Sequence, residues 1–315
     1  MKKAIGFSFI FMIMMVMTAC GEDNNQSDGN NNNNNEDDGT VTIEHELGTA
    51  EVPKNPETVA VFDYGTLDTL DELGIDVAAV SQMNVPSYLE QYDTDDYENA
   101  GTLFEPDFEK LSEVDPDVIF ISGRQSDVYE ELEELAPTVY LAVDNENYMD
   151  SFKENLDVIA EIFDKQDEVD ESYADIEEKI DDLKETTEES GKEALIILAN
   201  DDKISAYGPS SRFGLIHDVF GVPAVDDEID ASTHGMDVSF EYVVEQDPDI
   251  LYVVDRGAVV GGESSAKELV ENDLVEDTKA YQDDNIYYLN PDYWYLSGGG
   301  LESVSEMVDE IGDSF

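Results

Sequence analysis

The chain has 315 residues, of which 78 are Asp or Glu and only 15 are Lys or Arg, so its formal net charge at pH 7 is -63. This charge excludes electrostatic binding to nucleic acid and direct adhesion to anionic lipid. Acidic residues spread along the whole length, with lysine depleted, are typical of a solvated, halophile-like surface adapted to high salt or high pH.

The first 19 residues have the pattern of a signal peptide. Lys2 and Lys3 precede an apolar run over 4–17, which is too short to span a membrane comfortably. The single cysteine, Cys20, follows small residues as in a bacterial lipobox, which predicts a lipidated mature N-terminus. A cleaved secretory signal with an incidental cysteine is the alternative. Without a second cysteine, no intramolecular disulfide can form.

Residues 20–40 form an Asn- and Asp-rich segment with an unbroken asparagine run over 30–35. Such a segment has little to bury, so it is predicted to be a disordered tether. No later stretch is apolar enough to cross a bilayer. The sequence therefore predicts a protein anchored by lipid to the outer face of the cytoplasmic membrane, or a periplasmic one if the organism has an outer membrane.

Strands and helices alternate along the rest of the chain, which predicts mostly parallel sheets covered by helices. Strands are predicted at 59–62, 77–80, 118–121, 138–142, 194–199, 204–207, 250–254 and 286–289. Helices are predicted at 67–73, 128–135, 213–220, 266–272 and 301–311. The expected fold class is α/β, with an N-terminal lobe over 41–150 and a C-terminal lobe over 191–315.

Two segments that lie 132 residues apart resemble each other and support this division. Residues 109–124 read EKLSEVDPDVIFISGR, and residues 241–256 read EYVVEQDPDILYVVDR. Each pattern predicts a short helix, a stop at Asp-Pro-Asp, and a buried parallel strand whose end presents an arginine. A spacing this wide favours two similar lobes over a solenoid.

Between the lobes, apolar residues recur at helical spacing over 151–190, with no proline or glycine before Gly191. This pattern predicts one long α-helix that joins the lobes. Two helices broken near 164–167 are the alternative.

The chain keeps only three arginines, Arg124, Arg212 and Arg256, and each follows a strand-like run or a Gly/Ser-rich turn. Loops at the ends of strands are where α/β proteins build ligand sites. The guanidinium group is always charged and presents a planar fork of donors that suits oxyanions. The pattern therefore favours an anion site over three structural arginines paired with surface carboxylates.

The histidines are equally scarce. His45 lies in a hairpin-like segment and His217 in an apolar helix, so both are interpreted as structural, whereas His234 lies in a loop just before the second repeat. The only tryptophan, Trp294, and its neighbour Tyr295 precede a glycine run that opens the last helix. This run lacks the G-x-x-x-x-G-K-[ST] pattern, and no H-E-x-x-H, cysteine nucleophile or G-x-S-x-G elbow occurs, so no enzyme is predicted.

The lipobox, the tether, the two lobes with their repeat and the linking helix resemble substrate-binding lipoproteins of ABC importers for iron siderophores, cobalamin and haem, the class III fold. The resemblance extends over about 41–311. Four motifs resemble the branch that binds ferric catecholates of the petrobactin or enterobactin-fragment type: GRQS at 123–126, YGPSSRFG at 207–214, THG at 233–235 and WYLSGGG at 294–300.

The resemblance implies a set of ligand-binding residues and no intrinsic cofactor, since the ferric siderophore is the ligand. The implied set is Arg124, Arg212 and Arg256 on the catecholate oxygens, Trp294 beside them, and His234 and Tyr295 as iron(III) ligands when the siderophore supplies only four donors. Some family members have a lysine where this chain has Asp127, which weakens the positive rim. Independently of the family, three arginines would neutralise the three negative charges of an iron(III) tris-catecholate.

The resemblance also implies partners. One exposed glutamate per lobe, Glu109 and Glu241 at equivalent places in the repeat, would dock onto the transmembrane subunits of an ABC permease. The protein is expected to be a monomer that delivers its ligand and turns nothing over. A haem or cobalamin receptor of the same transporter class is the alternative, and an α/β hydrolase is the remote one.

Overall fold

A computed structural model describes residues 39–262 and 265–315. The expected signal peptide over 1–19, the lipidation site Cys20 and nearly all of the expected tether over 20–40 lie outside the described residues. Within the described part of the chain, no helix combines the length and apolar character needed to cross a membrane.

The first lobe is built on a five-stranded sheet preceded by a β-hairpin. In chain order its elements are β1 (Thr40–His45), β2 (Gly48–Pro53), β3 (Val59–Val61), α1 (Tyr64–Glu72), β4 (Ala79–Val80), β5 (Glu98–Asn99), α2 (Phe108–Val114), β6 (Val118–Ile121), α3 (Tyr129–Glu133) and β7 (Thr138–Tyr140). The sheet has the order β5-β4-β3-β6-β7, and all its strands are parallel. The hairpin β1-β2 is antiparallel.

Two helices, α4 (Tyr148–Phe163) and α5 (Gln166–Ser190), follow the first lobe. The prediction of one continuous helix over 151–190 is wrong, and the two-helix alternative is the observed one. The chain ends α4 at Asp164, whose φ of 52° is left-handed, a conformation that aspartate tolerates better than most residues. Lys54 Nζ at 3.3 Å and Asn55 Nδ2 at 2.9 Å hold the Asp164 carboxylate in place.

The second lobe is built on another five-stranded sheet. Its elements are β8 (Ala194–Asn200), β9 (Lys203–Tyr207), α6 (Leu215–Asp218), β10 (Met236–Val238), α7 (Phe240–Gln246), β11 (Ile250–Asp255), α8 (Arg256–Val260), α9 (Ala266–Val270), α10 (Lys279–Gln282), β12 (Ile286–Leu289) and α11 (Leu301–Gly312). The order is β10-β9-β8-β11-β12, and β9 runs antiparallel to both of its neighbours. Mostly parallel sheets in two lobes match the expected α/β class.

The sequence repeat is also a structural repeat. Helices α2 and α7 both end at an aspartate in the left-handed conformation, Asp115 with φ 53° and Asp247 with φ 46°. The following proline cannot continue a helix, so each chain turns into a buried parallel strand, β6 or β11. Each strand ends one to three residues before its arginine, Arg124 or Arg256, so the two arginines occupy equivalent places at the carboxyl ends of the sheets.

The last helix, α11, leaves the second lobe and packs against α1 of the first and against α5. Asp68 of α1 is fully buried and accepts hydrogen bonds from the backbone N–H groups of Glu302 and Ser303, both at 2.8 Å. A Cβ on Gly300 would lie 2.3 Å from the Asp68 Cγ, so only glycine fits beside this carboxyl group. The first lobe thus caps the helix that ends the chain.

Candidate functional site

The carboxyl ends of strands from both sheets open on one cleft with a volume of about 830 Å³. The residues that follow β3, β6 and β7 line it from the first lobe, and those that end or follow β8 and β11 line it from the second. This is where open α/β sheets place their ligands. The two lobes therefore bring the expected strand-end loops to one place.

All three arginines line this cleft, and they converge on Tyr295. Nη2 of Arg124 and Nη2 of Arg212 both donate to the main-chain carbonyl oxygen of Tyr295, at 3.1 and 2.7 Å. Nε of Arg256 donates to the Tyr295 hydroxyl at 2.7 Å, while its Nη1 donates to Asn200 Oδ1 at 2.8 Å. The Arg212 guanidinium also lies over the Tyr295 ring, 4.3 Å from its centroid, as in a cation–π contact.

The Tyr295 carbonyl is free to accept both guanidinium groups because of the local helix geometry. Tyr295 lies in the last turn of a π-helical segment, Asp292–Ser297, and the chain leaves the helix at Gly298. Carbonyl groups in the last turn of a helix have no partner within the helix. A neutral oxygen thus links an arginine of the first lobe to one of the second and leaves their positive charges uncompensated.

None of the ion pairs within 4.0 Å among the described residues involves an arginine, although the chain is strongly acidic. Burial, and next the positive charge of Arg124, lower the pKa of Arg212 from its ordinary value. The cleft lining contains four cationic side chains, the three arginines and Lys203, against two carboxylates, Asp63 and Asp237. An anionic ligand would relieve this excess of positive charge.

The Asp63 carboxylate compensates little of the positive charge of the arginines, because hydrogen bonds within the first lobe already engage it. It caps the N-terminus of α1 by accepting from the Thr66 backbone N–H at 2.9 Å, and it accepts from the Ser122 hydroxyl at 2.7 Å. Asp237 is exposed. The buried part of the cleft therefore presents donors to a ligand rather than acceptors.

The other predicted site residues divide into three groups. His234 lines the cleft from an exposed loop of the second lobe. Trp294 also lines it, but the side chain is only 3% exposed and its indole N–H donates to Glu310 Oε2 at 2.7 Å, so it is part of the core. Glu109 and Glu241 are exposed near the N-termini of α2 and α7 and do not line the cleft.

The two histidines interpreted as structural behave as expected, because both hydrogen-bond to main-chain carbonyls. A ring nitrogen of His45 lies 3.1 Å from the Thr138 oxygen, and one of His217 lies 2.8 Å from the Val222 oxygen. Burial lowers the pKa of both imidazoles, which favours the neutral form.

The cleft residues that the sequence did not single out include Phe104, Lys203 and Asn200. Asn200 and Lys203 flank the tight turn between β8 and β9, so a polar residue ending a buried strand was the available signal. Phe104 carried no such signal, because a phenylalanine in a loop of this length is usually part of the core. Among the described residues, no group of three or more His, Cys, Asp or Glu side chains is arranged to hold a metal ion by itself.

A model of the periplasmic binding protein family matches residues 59–293. The petrobactin-binding protein YclQ of Bacillus subtilis is 51% identical over 278 residues, 87% of each chain, and its crystal structure superposes with a TM-score of 0.86 over 87% of this chain and 98% of that one. The ferric-anguibactin-binding protein FatB of Vibrio anguillarum is 34% identical over 86% of each chain. The crystal structure of the periplasmic catecholate-siderophore binding protein VctP of Vibrio cholerae, 34% identical, gives a TM-score of 0.82 over 86% of this chain and 99% of that one.

Proposed function

The chain belongs to the periplasmic binding protein family, and we propose that its cleft binds a ferric catecholate siderophore, which the protein delivers to an ABC importer for iron uptake. One observation carries the proposal: three guanidinium groups from two lobes meet at one tyrosine with no carboxylate partner among the described residues. The family is one of binding proteins, so the cleft is a receptor site and not the active site of an enzyme.

The chemistry of the ligand fits the charges of the cleft. Iron(III) bound by three catecholates carries three negative charges on an anion whose outer surface is rich in oxygen acceptors. Three arginines supply three positive charges and a fork of N–H donors each, and such charge-assisted hydrogen bonds are about twice as strong as neutral ones. The names of the relatives support this class, since YclQ is a petrobactin-binding protein and VctP a catecholate-siderophore binding protein.

A siderophore with only four donor atoms leaves two positions open on octahedral iron(III). We propose that the Tyr295 hydroxyl and the His234 imidazole fill them, since phenolate oxygen suits hard iron(III) and imidazole is an acceptable ligand. The Arg256 Nε already donates to the Tyr295 hydroxyl at 2.7 Å, which holds this oxygen in a fixed position at the cleft. The exposed loop position of His234 leaves its ring free to reach a ligand at the cleft.

Membrane attachment and docking extend the proposal to the rest of the chain. Cys20 would carry the lipid, and the tether over 20–40 would hold the two lobes, 41–150 and 191–315, at the outer face of the membrane. Glu109 and Glu241 would contact the two permease subunits. Their support is that both are exposed second residues of equivalent helices, one in each lobe.

The proposal is tested with the purified chain lacking residues 1–20 and an iron(III) 2,3-dihydroxybenzoate complex as probe. The visible charge-transfer band of the probe is expected to elute with the protein in gel filtration, and Trp294 fluorescence is expected to be quenched with saturation. Haem and cyanocobalamin run in parallel as competitors. Elution of the band with small molecules only, or tighter binding of haem or cobalamin, would overturn the proposal.

A further inference from the structure

An exposed phenylalanine stands at the cleft beside the arginine site. We infer that Phe104 is a specificity-determining contact residue, whose ring stacks on an aryl ring of the bound ferric complex and slows its release. This inference deepens the proposed function and rests on it. It assigns the recognition of the aromatic part of the ligand to a residue separate from the arginines, which recognise only its charge.

Phe104 is 65% exposed, the highest fraction among the large hydrophobic side chains that the structure describes. The other two exposed ones, Met83 at 44% and Leu274 at 43%, do not line the cleft, whereas Phe104 does. Holding an apolar ring in water is unfavourable by about 25 cal/mol per Å² relative to burying it. A ligand that covers the ring would recover this free energy on binding.

The loop that carries Phe104 is held rigidly at its base. The Thr102 backbone N–H donates to the Glu105 carbonyl at 3.0 Å, and the Thr102 hydroxyl accepts from the backbone N–H groups of Phe104 at 3.2 Å and Glu105 at 2.9 Å. Gly101 has a φ of 108°, and a Cβ there would lie 2.5 Å from the Glu105 oxygen, so the turn requires glycine. The ring is thus presented on a preorganised turn, which lowers the entropy lost on binding.

The same loop is tied to the arginine site through Gln125. Its buried side chain donates from Nε2 to the Leu103 carbonyl and accepts the Ser122 backbone N–H at Oε1, 3.1 Å away. Gln125 directly follows Arg124, so one side chain links the residue before Phe104 to the turn that presents the guanidinium. Arg124 and Phe104 are therefore positioned by one connected turn, and both line the cleft.

The internal repeat gives the loop a counterpart in the second lobe. The offset of 132 residues that relates Arg124 to Arg256 also relates the loop before α2 to the loop before α7, which carries His234. Both loops line the cleft. Equivalent segments thus present a phenyl ring in one lobe and an imidazole in the other, with Phe104 itself corresponding to Met236, two residues after His234.

A phenyl ring at this place suits a catecholate better than an aliphatic chelator. Aromatic pairs in offset or edge-to-face contact gain about 0.5–1.5 kcal/mol beyond the area that they bury. Since the arginines alone would accept any compact anion of similar charge, the ring supplies discrimination that charge cannot supply.

The test uses Phe104→Ala, Phe104→Leu and Phe104→Trp, with Leu274→Ala as the matched control at an exposed apolar residue outside the cleft. Affinity for the iron(III) 2,3-dihydroxybenzoate probe is measured by Trp294 quenching, and dissociation by stopped flow. We expect Phe104→Ala to weaken binding by about five- to tenfold through faster dissociation, Phe104→Leu to recover only part of the loss, and Leu274→Ala to match the wild type. In Phe104→Trp, affinity is retained and the emission of the added indole is quenched by the bound probe.

Wild-type affinity in Phe104→Ala, or an added indole in Phe104→Trp whose emission does not respond to the probe, overturns the inference while leaving the proposed function intact. If Phe104→Leu binds the probe with wild-type affinity, the ring does not stack on the ligand, and Phe104 contributes only nonspecific apolar contact. Failure of the wild type to bind the probe overturns the proposed function and the inference together.

Discussion

The two copies of the repeat share a backbone but differ in what their loops offer a ligand. In each lobe a seven-residue helix ends at a left-handed aspartate, a buried parallel strand follows, and an arginine stands at the strand's end. Arg124 then donates to the Tyr295 carbonyl, whereas Arg256 donates to the Tyr295 hydroxyl and to Asn200. The loop before the first helix carries Phe104, and the loop before the second carries His234.

The difference separates what the repeat must keep from what it can vary. The helix, the stop and the strand place a cation at the end of each sheet, and this placement depends only on local chain geometry and burial. Phe104 and His234 themselves are exposed and lie outside the strands, so these two positions can differ in chemistry without cost to the fold. On the proposed function, charge recognition is thus repeated in the two lobes, whereas the loops give each lobe a different contact with the ligand.

The largest effect is expected at the arginine that belongs to neither copy. Arg212 donates to the same carbonyl as Arg124 at the shorter distance and lies over the Tyr295 ring, so it joins the two halves of the site. Arg212→Ala is expected to weaken ferric-catecholate binding by about 2 kcal/mol or more, the size of a charge-assisted hydrogen bond in a partly desolvated site. The measurement is a fluorescence quenching titration, with Lys165→Ala on the surface as the control.

Single alanine substitutions at Arg124 and Arg256 sharpen the comparison, because equivalent positions should give losses of the same order. Unchanged quenching curves for all three arginine variants would rule out the anion site.

The second prediction concerns the free energy of unfolding. It tests a contact that the first lobe makes through Asp68, whose carboxyl group accepts hydrogen bonds from the N-terminus of the final helix, α11. Asp68→Asn replaces an acceptor oxygen with a donor group that faces the backbone N–H of Ser303 or Glu302. We expect a loss of about 1.5 kcal/mol in the free energy of unfolding, the scale of a buried donor left without its partner. Urea unfolding measures it, and Glu72→Gln at the exposed end of the same helix is the control.

This stabilisation depends on pH with a definite sign. Burial raises the pKa of Asp68 from 3.8 to about 7, so between these values the folded state holds a proton that the unfolded state has lost. The contribution of Asp68 is therefore fully present below about pH 4 and decreases as the pH rises through 7. The stability difference between wild type and Asp68→Asn should be larger at pH 5.5 than at pH 8.5, and a difference that grows with pH would contradict this.

The strands and the repeat were predictable because their signals are local. Val118–Ile121 is a continuous apolar, mostly β-branched run after a proline stop, and the structure makes it a fully buried strand. The break near Asp164 could be given only as the alternative to one long helix, since no proline or glycine marks it and the carboxylate is held by Lys54 and Asn55, which lie about 110 residues earlier. The short strand β10 exists only through its pairing with β9, a contact that its own residues do not encode.

The candidate site shows the same division between local and distant information. The scarcity of arginine in the sequence was enough to select Arg124, Arg212 and Arg256, which all line the cleft. Their meeting point, the Tyr295 carbonyl, depends on where a π-helical segment ends and on both lobes coming together, so no spacing could reveal it. Trp294 was selected for its rarity, but its indole N–H donates to the Glu310 carboxylate of α11, which holds the ring in the core.

A smaller, selective effect tests whether the two loops have different roles. His234→Ala and Tyr295→Phe are expected to weaken a tetradentate bis-catecholate complex by about tenfold, or about 1.4 kcal/mol. A hexadentate tris-catecholate offers no open position on the iron, so its affinity should not change in His234→Ala. In Tyr295→Phe with the tetradentate ligand bound, the tyrosinate-to-iron absorption band should be lost. Equal weakening of both ligand classes would mean that neither residue binds iron.

The smallest effect on affinity is expected where the two copies are most alike on the outside. Glu109 and Glu241 occupy the second position of equivalent helices and are exposed, away from the residues that line the cleft. Rim charges of this kind set orientation and association rate with a protein partner and leave affinity for the small ligand unchanged. The double change Glu109→Lys with Glu241→Lys should therefore bind ferric catecholate normally while iron uptake by cells is largely lost.

Each glutamate changed alone should reduce uptake by a similar amount if both lobes dock in the same way. The control is Glu185→Lys with Glu188→Lys, the same change of charge at exposed positions on α5. Uptake reduced equally by the control would reflect the altered net charge, and normal uptake in the double variant would exclude the docking role. If the double variant also loses ligand binding, the two residues have a structural role. A docking residue can be changed without altering the affinity for the ligand, whereas a structural residue cannot.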